Sequence, residues 1–186
     1  STQANSAIIA NSGTVRIELS SDAKVTANSD LDAITGTIAF VESDAPTVAV
    51  TTLSVDTGQT LTISAAQANG KTISGAGTVV VTGAASDTDL SAISANLNIA
   101  LATLNGTPQL PSSVATGKTL TLTATQANGE TIIGEGTIIV TGTASNTNLS
   151  ALTPALLDIS GATLNGAPVL PSSVAAGDTL TLTSTQ

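Results

Sequence analysis

The sequence predicts an all-β protein: a β-solenoid of the parallel β-helix type, assembled from three repeats of about 60 residues each. Three observations carry that expectation. The first is a near-duplication. Thr60–Gly83 reads TLTISAAQANGKTISGAGTVVVTG and Thr119–Gly142 reads TLTLTATQANGETIIGEGTIIVTG, with sixteen of 24 positions identical. The second is phase: Gln3, Gln67, Gln126 and Gln186 follow one another at intervals of 64, 59 and 60 residues. The third is the filling material. Hydrophobic residues make up 41% of the chain, yet Phe40 is its one aromatic residue, and Trp, Tyr, Met, Cys and His do not occur. An aromatic ring buries a large area, so a core without rings is narrow and filled by Ala, Val, Leu and Ile. Stacked coils need the same face at the same place in every circuit, and so the sequence recurs.

The repeats span residues 1–66, 67–125 and 126–186, read as one continuous array. The second and third share further landmarks. TLNG at Thr103–Gly106 returns at Thr163–Gly166, followed each time by a proline and then LPSSVA, and a glycine precedes each TLT segment at Gly58, Gly117 and Gly177. The first repeat diverges. Its Ser12–Leu19 segment, SGTVRIEL, aligns with GTIIV but places Arg16 and Glu18 on the strand, and it lacks TLNG and LPSSV. Terminal repeats diverge where one side meets solvent or a different neighbour.

Within a unit the local signal is β. Thr119–Thr123 (TLTLT) alternates with period two, Leu to one side and Thr to the other, and Thr60–Ser64 and Thr179–Thr183 follow the same pattern. Thr78–Thr82 (TVVVT) and Thr137–Thr141 (TIIVT) are unbroken β-branched runs, predicted as strands covered on both faces. Asn-Gly pairs at Asn69, Asn105, Asn128 and Asn165 predict tight turns with positive φ. Leu149–Leu157 (LSALTPALL) predicts a helical turn interrupted at Pro154. Pro108, Pro111, Pro168 and Pro171 bound a short piece that belongs at an edge, corner or loop, since proline donates nothing to a ladder.

Each repeat thus divides into three stretches of about twenty residues, one coil apiece. Each coil lays its strands on the coil below at ~4.8 Å, and the parallel-crossover rule makes the hand right. The alternative is a string of small β-sandwich modules. Independent sandwiches run to about 100 residues, and a 60-residue unit without disulfides or rings is marginal, so the solenoid is preferred.

Composition excludes several functions. Thirteen acids against four bases give a net charge of −9. Arg16, Lys24, Lys71 and Lys118 make no basic patch, and there are no rings for stacking bases, so nucleic acid is not an expected partner. No run approaches the roughly 18 apolar residues of a membrane span, and no signal peptide is visible. The missing initiator Met and the mid-repeat start are expected of a processed chain or a piece of a longer one. Without Cys there are no disulfides, and without His or Cys there is no histidine-based triad or cysteine nucleophile. Glu130 and Glu135, the nearest approach to a two-carboxylate pair, are Lys71 and Ala76 in the second repeat. No catalytic residues and no enzymatic activity are expected.

The candidate metal ligands are two Asp-x-Asp pairs, Asp87 with Asp89 and Asp30 with Asp32, whose hard oxygens suit Ca²⁺. The competing reading makes them turn-capping residues before an inward leucine, and the third repeat has Asn146 and Asn148 in their place. Threonine rows also raise ice binding, but TLTLT comes once per repeat rather than once per coil. Sequons at Asn105-Gly106-Thr107 and Asn148-Leu149-Ser150 arise easily by chance in so Ser- and Thr-rich a chain.

The pattern TLTxTxxQANGxTIxGxGTxxVTGxAxxTxLSxL, over Thr60–Gln186, resembles the tandem repeats of giant secreted or surface-attached bacterial proteins: adhesin-like, S-layer-like and sheath- or filament-forming chains. The resemblance implies an extracellular, cell-surface location and a structural role, with no cofactor. It implies self-assembly: coils stacked end to end on further repeats of the same chain or on other copies, to form a fibre, sheath or layer. The alternative it leaves open is an adhesin stalk or surface module that binds glycan or Ca²⁺, with surface polysaccharide as partner.

Overall fold

A strand that alternates Leu and Thr must turn one row of side chains inward. Thr60–Ser64 does so: Leu61 and Ile63 are fully buried, while Thr60, Thr62 and Ser64 between them are half-buried. The computed structural model describes residues 52–184 and Gln186, and before them the backbone of four strands. These four are β1 (Thr14–Leu19), β2 (Lys24–Val25), β3 (Ser29–Asp30) and β4 (Thr37–Glu42). There follow β5 (Thr52–Val55), β6 (Thr60–Ser64), α1 (Ala65–Ala68), β7 (Thr72–Gly75), β8 (Thr78–Ser86) and β9 (Asn96–Asn105). The chain ends with β10 (Thr119–Thr123), α2 (Ala124–Ala127), β11 (Ile132–Ser145), β12 (Leu152–Asn165) and β13 (Thr179–Thr181).

The protein is a β-solenoid with all-parallel sheets. Its chain gathers into two compact units. The first comprises Ser1–Leu97 and Leu101–Leu110; the second comprises Asn98–Ala100 and Pro111–Gln186. In the first unit β1 pairs with β4, β5 lies between β2 and β7, and a further sheet runs in the order β3-β6-β8-β9. In the second the order is β10-β11-β12-β13. Registers there show the coil directly. Thr119 pairs with Thr137, Thr137 with Leu156, and Leu156 with Thr179, so three circuits complete one 60-residue repeat. The first repeat runs wider: Lys24 pairs with Ser54 and Ser29 with Leu61, circuits of 30 and 32 residues. Small sandwich modules would need antiparallel ladders within each module, and no such ladder occurs among the described residues.

Each core is aliphatic and layered. In the first unit Leu61 and Ile63 stack on Val79 and Val81 through the Thr60–Ser64 ladder. In the second Leu120 and Leu122 stack on Ile138 and Val140. Apolar surface buried this way contributes about 25 cal/mol per Å². One expectation is corrected here. Val80 and Ile139, central in the β-branched runs, are half-buried rather than enclosed, because a solenoid sheet has an inner and an outer face and only the inner one meets the core.

Two local expectations also change. Thr153 to Leu157 is not helical but part of β12, with Pro154 in register with Gly134 just before a register shift. Proline is tolerated at such a bulge because the ladder is already interrupted. Conversely, the sequence reading gave no helix to Gln67 or Gln126, and both sit in single helical turns, α1 and α2, inserted at a coil corner. The four corner prolines lie outside all named strands, as expected.

Candidate functional site

The polar residues of the coil corners are the places where chemistry could reside, and several are tied to a neighbouring coil. Ser64 and Thr123 cap the helical turns. Gln126 N–H donates to Thr123 Oγ1 (3.2 Å), and Thr123 N–H donates to Gln126 Oε1 (2.8 Å), a reciprocal capping box that Ser64 and Gln67 repeat. The same Gln126 reaches back with Nε2 to the Ile99 carbonyl (2.9 Å), and Gln186 does likewise to Ile159 and Ala162 (2.8 and 2.6 Å). Gln126 staples a helical corner to an earlier strand, and Gln186 makes the same kind of bond back to β12. The spacing Ser/Thr-x-x-Gln before a buried alanine was the available signal.

The Asn-Gly corners that follow are type II turns. Asn69 lies at φ −54°, ψ 122° and Gly70 at φ +68°, with Asn128 and Gly129 alike. Only the glycine takes the left-handed conformation. Asn69 Oδ1 accepts from Asp89 N–H (2.8 Å), and Gly70 N–H donates to the Asp89 carbonyl (2.9 Å). Asn128 and Gly129 make the same pair of bonds with Asn148, at 2.7 and 2.8 Å.

Asp87 and Asp89, the calcium candidates, occupy turn geometry. Asp87 is left-handed at φ 53°, as is Asn146 in the same place one repeat later. Asp87 Oδ1 accepts from the Thr107 backbone N–H (2.9 Å) and hydroxyl (3.1 Å). Asp89 Oδ1 accepts from the Ser91 N–H (3.0 Å) and hydroxyl (2.6 Å). Thr107 and Ser91 therefore hold the two carboxyls below the usual range. Each leads into an inward residue, and Leu90 is fully buried. Ca²⁺ takes six to eight oxygens, and among the described residues no three acidic side chains converge. Asp87 Oδ1 is engaged by Thr107, twenty residues on, and Asp89 Oδ1 by Ser91 within its own turn. Asp30 contributes backbone to β3; its side chain and all of Asp32 lie outside the described residues.

Glu130 and Glu135 are separated by the start of β11. Glu130 lies in the turn after α2, where partial burial pushes its carboxyl upward, and Glu135 is exposed on the strand. Asn148, in one of the two sequons, accepts from the Ser150 N–H and hydroxyl through Oδ1. Among the described residues no helix is long and apolar enough to cross a membrane.

One pair of residues was not foreseen. Thr88 and Thr147 are 1% exposed, at corresponding places in successive repeats, and neither hydroxyl has a hydrogen-bond partner among the described residues. Each stands between two Asx residues, Asp87 and Asp89 or Asn146 and Asn148.

The second unit also presents a coil face with apolar content. Val114 and Leu122 are 5% and 0% exposed beneath β11, whereas their counterparts Val174 and Leu182 are 47% and 42% exposed. Beside them is a cavity of about 160 Å³ lined by Leu152, Pro154, Leu157, Pro171, Val174 and Leu180, among others. No protein-family model, curated protein or solved structure matches the chain.

Proposed function

We propose that this chain is a non-enzymatic structural element of a bacterial cell surface, one that extends a fibre, sheath or layer by stacking coil on coil. The observation that carries the reading is the coil-on-coil register: Thr119 pairs with Thr137, and Thr137 with Leu156, always in parallel. The coil of Val114 is covered by a strand that follows a strict hydrogen-bonding template. Val114 N–H donates to Ile133, Gly136 N–H to Val114, and Thr137 N–H to Lys118. A coil of the same pattern, in the same polypeptide or in a second copy, can be laid on by the same bonds.

The corner chemistry supports the same reading. Asx and Gln side chains are spent on joining coils, and the alternation of Leu with Thr supplies both filling and a polar outer face. A second reading, a stalk that binds surface polysaccharide, rests on the outward Thr119, Thr121 and Thr123, in register with Thr137, Ile139 and Thr141. Sedimentation at rising concentration, with electron microscopy of the same samples, tests the first. Fibres or lattices that grow with concentration are expected. Particles that never associate, together with retention on a glycan array, would favour the stalk.

A further inference from the structure

The chain carries four Asn-Gly pairs, at Asn69, Asn105, Asn128 and Asn165, all exposed. In this dipeptide the glycine amide nitrogen can attack the asparagine side-chain carbonyl, since glycine has no side chain to obstruct it. The four pairs divide sharply by how the reacting atoms are held. At Asn69-Gly70 both are engaged by one residue of the next coil: Asp89 N–H binds Oδ1, and the Asp89 carbonyl binds the Gly70 N–H. Asn148 engages Asn128-Gly129 in the same way. Ring closure there must break two hydrogen bonds and turn the peptide out of its ladder.

At Asn105-Gly106 the bonds fall on the flanks instead. The Asn105 carbonyl accepts from Asp87 N–H (3.0 Å), and Thr107 N–H donates to Asp87 Oδ1 (2.9 Å). Neither the Asn105 side chain nor the Gly106 N–H has a hydrogen-bond partner among the described residues. Asn165-Gly166 repeats this arrangement. Asn146 N–H donates to the Asn165 carbonyl (2.9 Å), and Ala167 N–H donates to Asn146 Oδ1 (3.0 Å).

We infer that Asn105-Gly106 and Asn165-Gly166 are sites of spontaneous backbone modification, and that Asn69-Gly70 and Asn128-Gly129 are shielded from it by coil-to-coil hydrogen bonds. The Gly106 nitrogen gives up its proton and bonds to Asn105 Cγ. The Cγ–Nδ2 bond breaks and ammonia leaves with the proton. Water then opens the succinimide ring at either carbonyl, yielding aspartate or isoaspartate. No oxidant or reductant takes part. An isoaspartyl link carries the main chain through Cβ and Cγ, placing a methylene between Asn105 Cα and the linking carbonyl and releasing the former α-carbonyl as a carboxylate, so the two bonds to Asp87 no longer close together. The corner loosens as the protein ages.

The test is incubation of the whole folded chain in mildly alkaline heavy-oxygen water, followed by peptide mass spectrometry that separates aspartyl from isoaspartyl products. Label is expected at Asn105 and Asn165 roughly ten- to thirtyfold faster than at Asn69 and Asn128, the slowing that two ordinary hydrogen bonds impose. In concentrated urea the four rates should converge. Asn105→Gln should remove the label from its own peptide and leave that of Asn165. Equal rates in the folded chain, faster labelling at Asn69 or Asn128, or a ranking that survives urea would each overturn the inference.

Discussion

Thr88 and Thr147 each bury a hydroxyl that finds no partner among the described residues. An unmatched buried hydroxyl costs more than the bond it would have made. Valine has the same branched shape without the polar atom. Thr88→Val and Thr147→Val should therefore each stabilise the chain by about 1 kcal/mol, read as a higher midpoint in thermal denaturation. The acids make a different statement. Asp87 and Asp89 have carboxyls lowered by their Thr107 and Ser91 bonds, from an ordinary value of 3.8. Their contribution is present above that value and is lost as pH falls through the lower folded one. Glu130, raised from 4.5 by partial burial, works in the opposite direction: its ionisation weakens the fold as pH rises through the folded value. Asp87→Asn keeps the acceptor, as Asn146 does toward Ala167. It should flatten the acid limb of a stability–pH curve and leave stability at neutral pH nearly unchanged.

At the scale of the element, glycine decides how closely a corner approaches the coil before it. Gly134 has φ 118°, and a Cβ there would run into the Val114 carbonyl oxygen; Gly75 stands in the same relation to Val55. Gly129 has φ 78° with nothing within 4 Å. Gly129→Ala should cost about 1–2 kcal/mol, the left-handed penalty alone. Gly134→Ala should cost clearly more, about 3 kcal/mol or above, since strain and a backbone collision add. Urea denaturation of the two variants side by side checks the difference. Much of the element level was legible. Leu120 and Leu122 announced the inner row through alternation alone. Pro154 misled, because a proline in a strand depends on a bulge that its neighbour Gly134 supplies from twenty residues away. Gln126 served in the sequence only as a mark of repeat phase: its capping spacing is local, but its bond to Ile99 spans 27 residues.

For the whole molecule, the proposed role makes a chelation test decisive. Asp87 is bonded to Thr107 and Asp89 to Ser91, and they meet no third acid among the described residues. Excess EDTA should leave the melting midpoint where it was. A fall of several degrees on chelation, reversed by added Ca²⁺, would restore the calcium-dependent stalk.

The sequence by itself determined the coil. Period-two alternation, the recurrence of the same landmarks about every 60 residues and a core without rings leave few ways to bury the aliphatic rows except by laying like on like. Only the tertiary structure decided what the polar corner residues do. The bond from Thr107 to Asp87 joins residues twenty apart and shows in no local pattern, and Asn69 and Asn105 read alike until Asp89 was found to engage only the first pair. The reason is physical. Burial follows from local pattern, since each side chain points in or out with its strand. A hydrogen bond between coils needs a partner about twenty residues away, set in place by the winding of the chain.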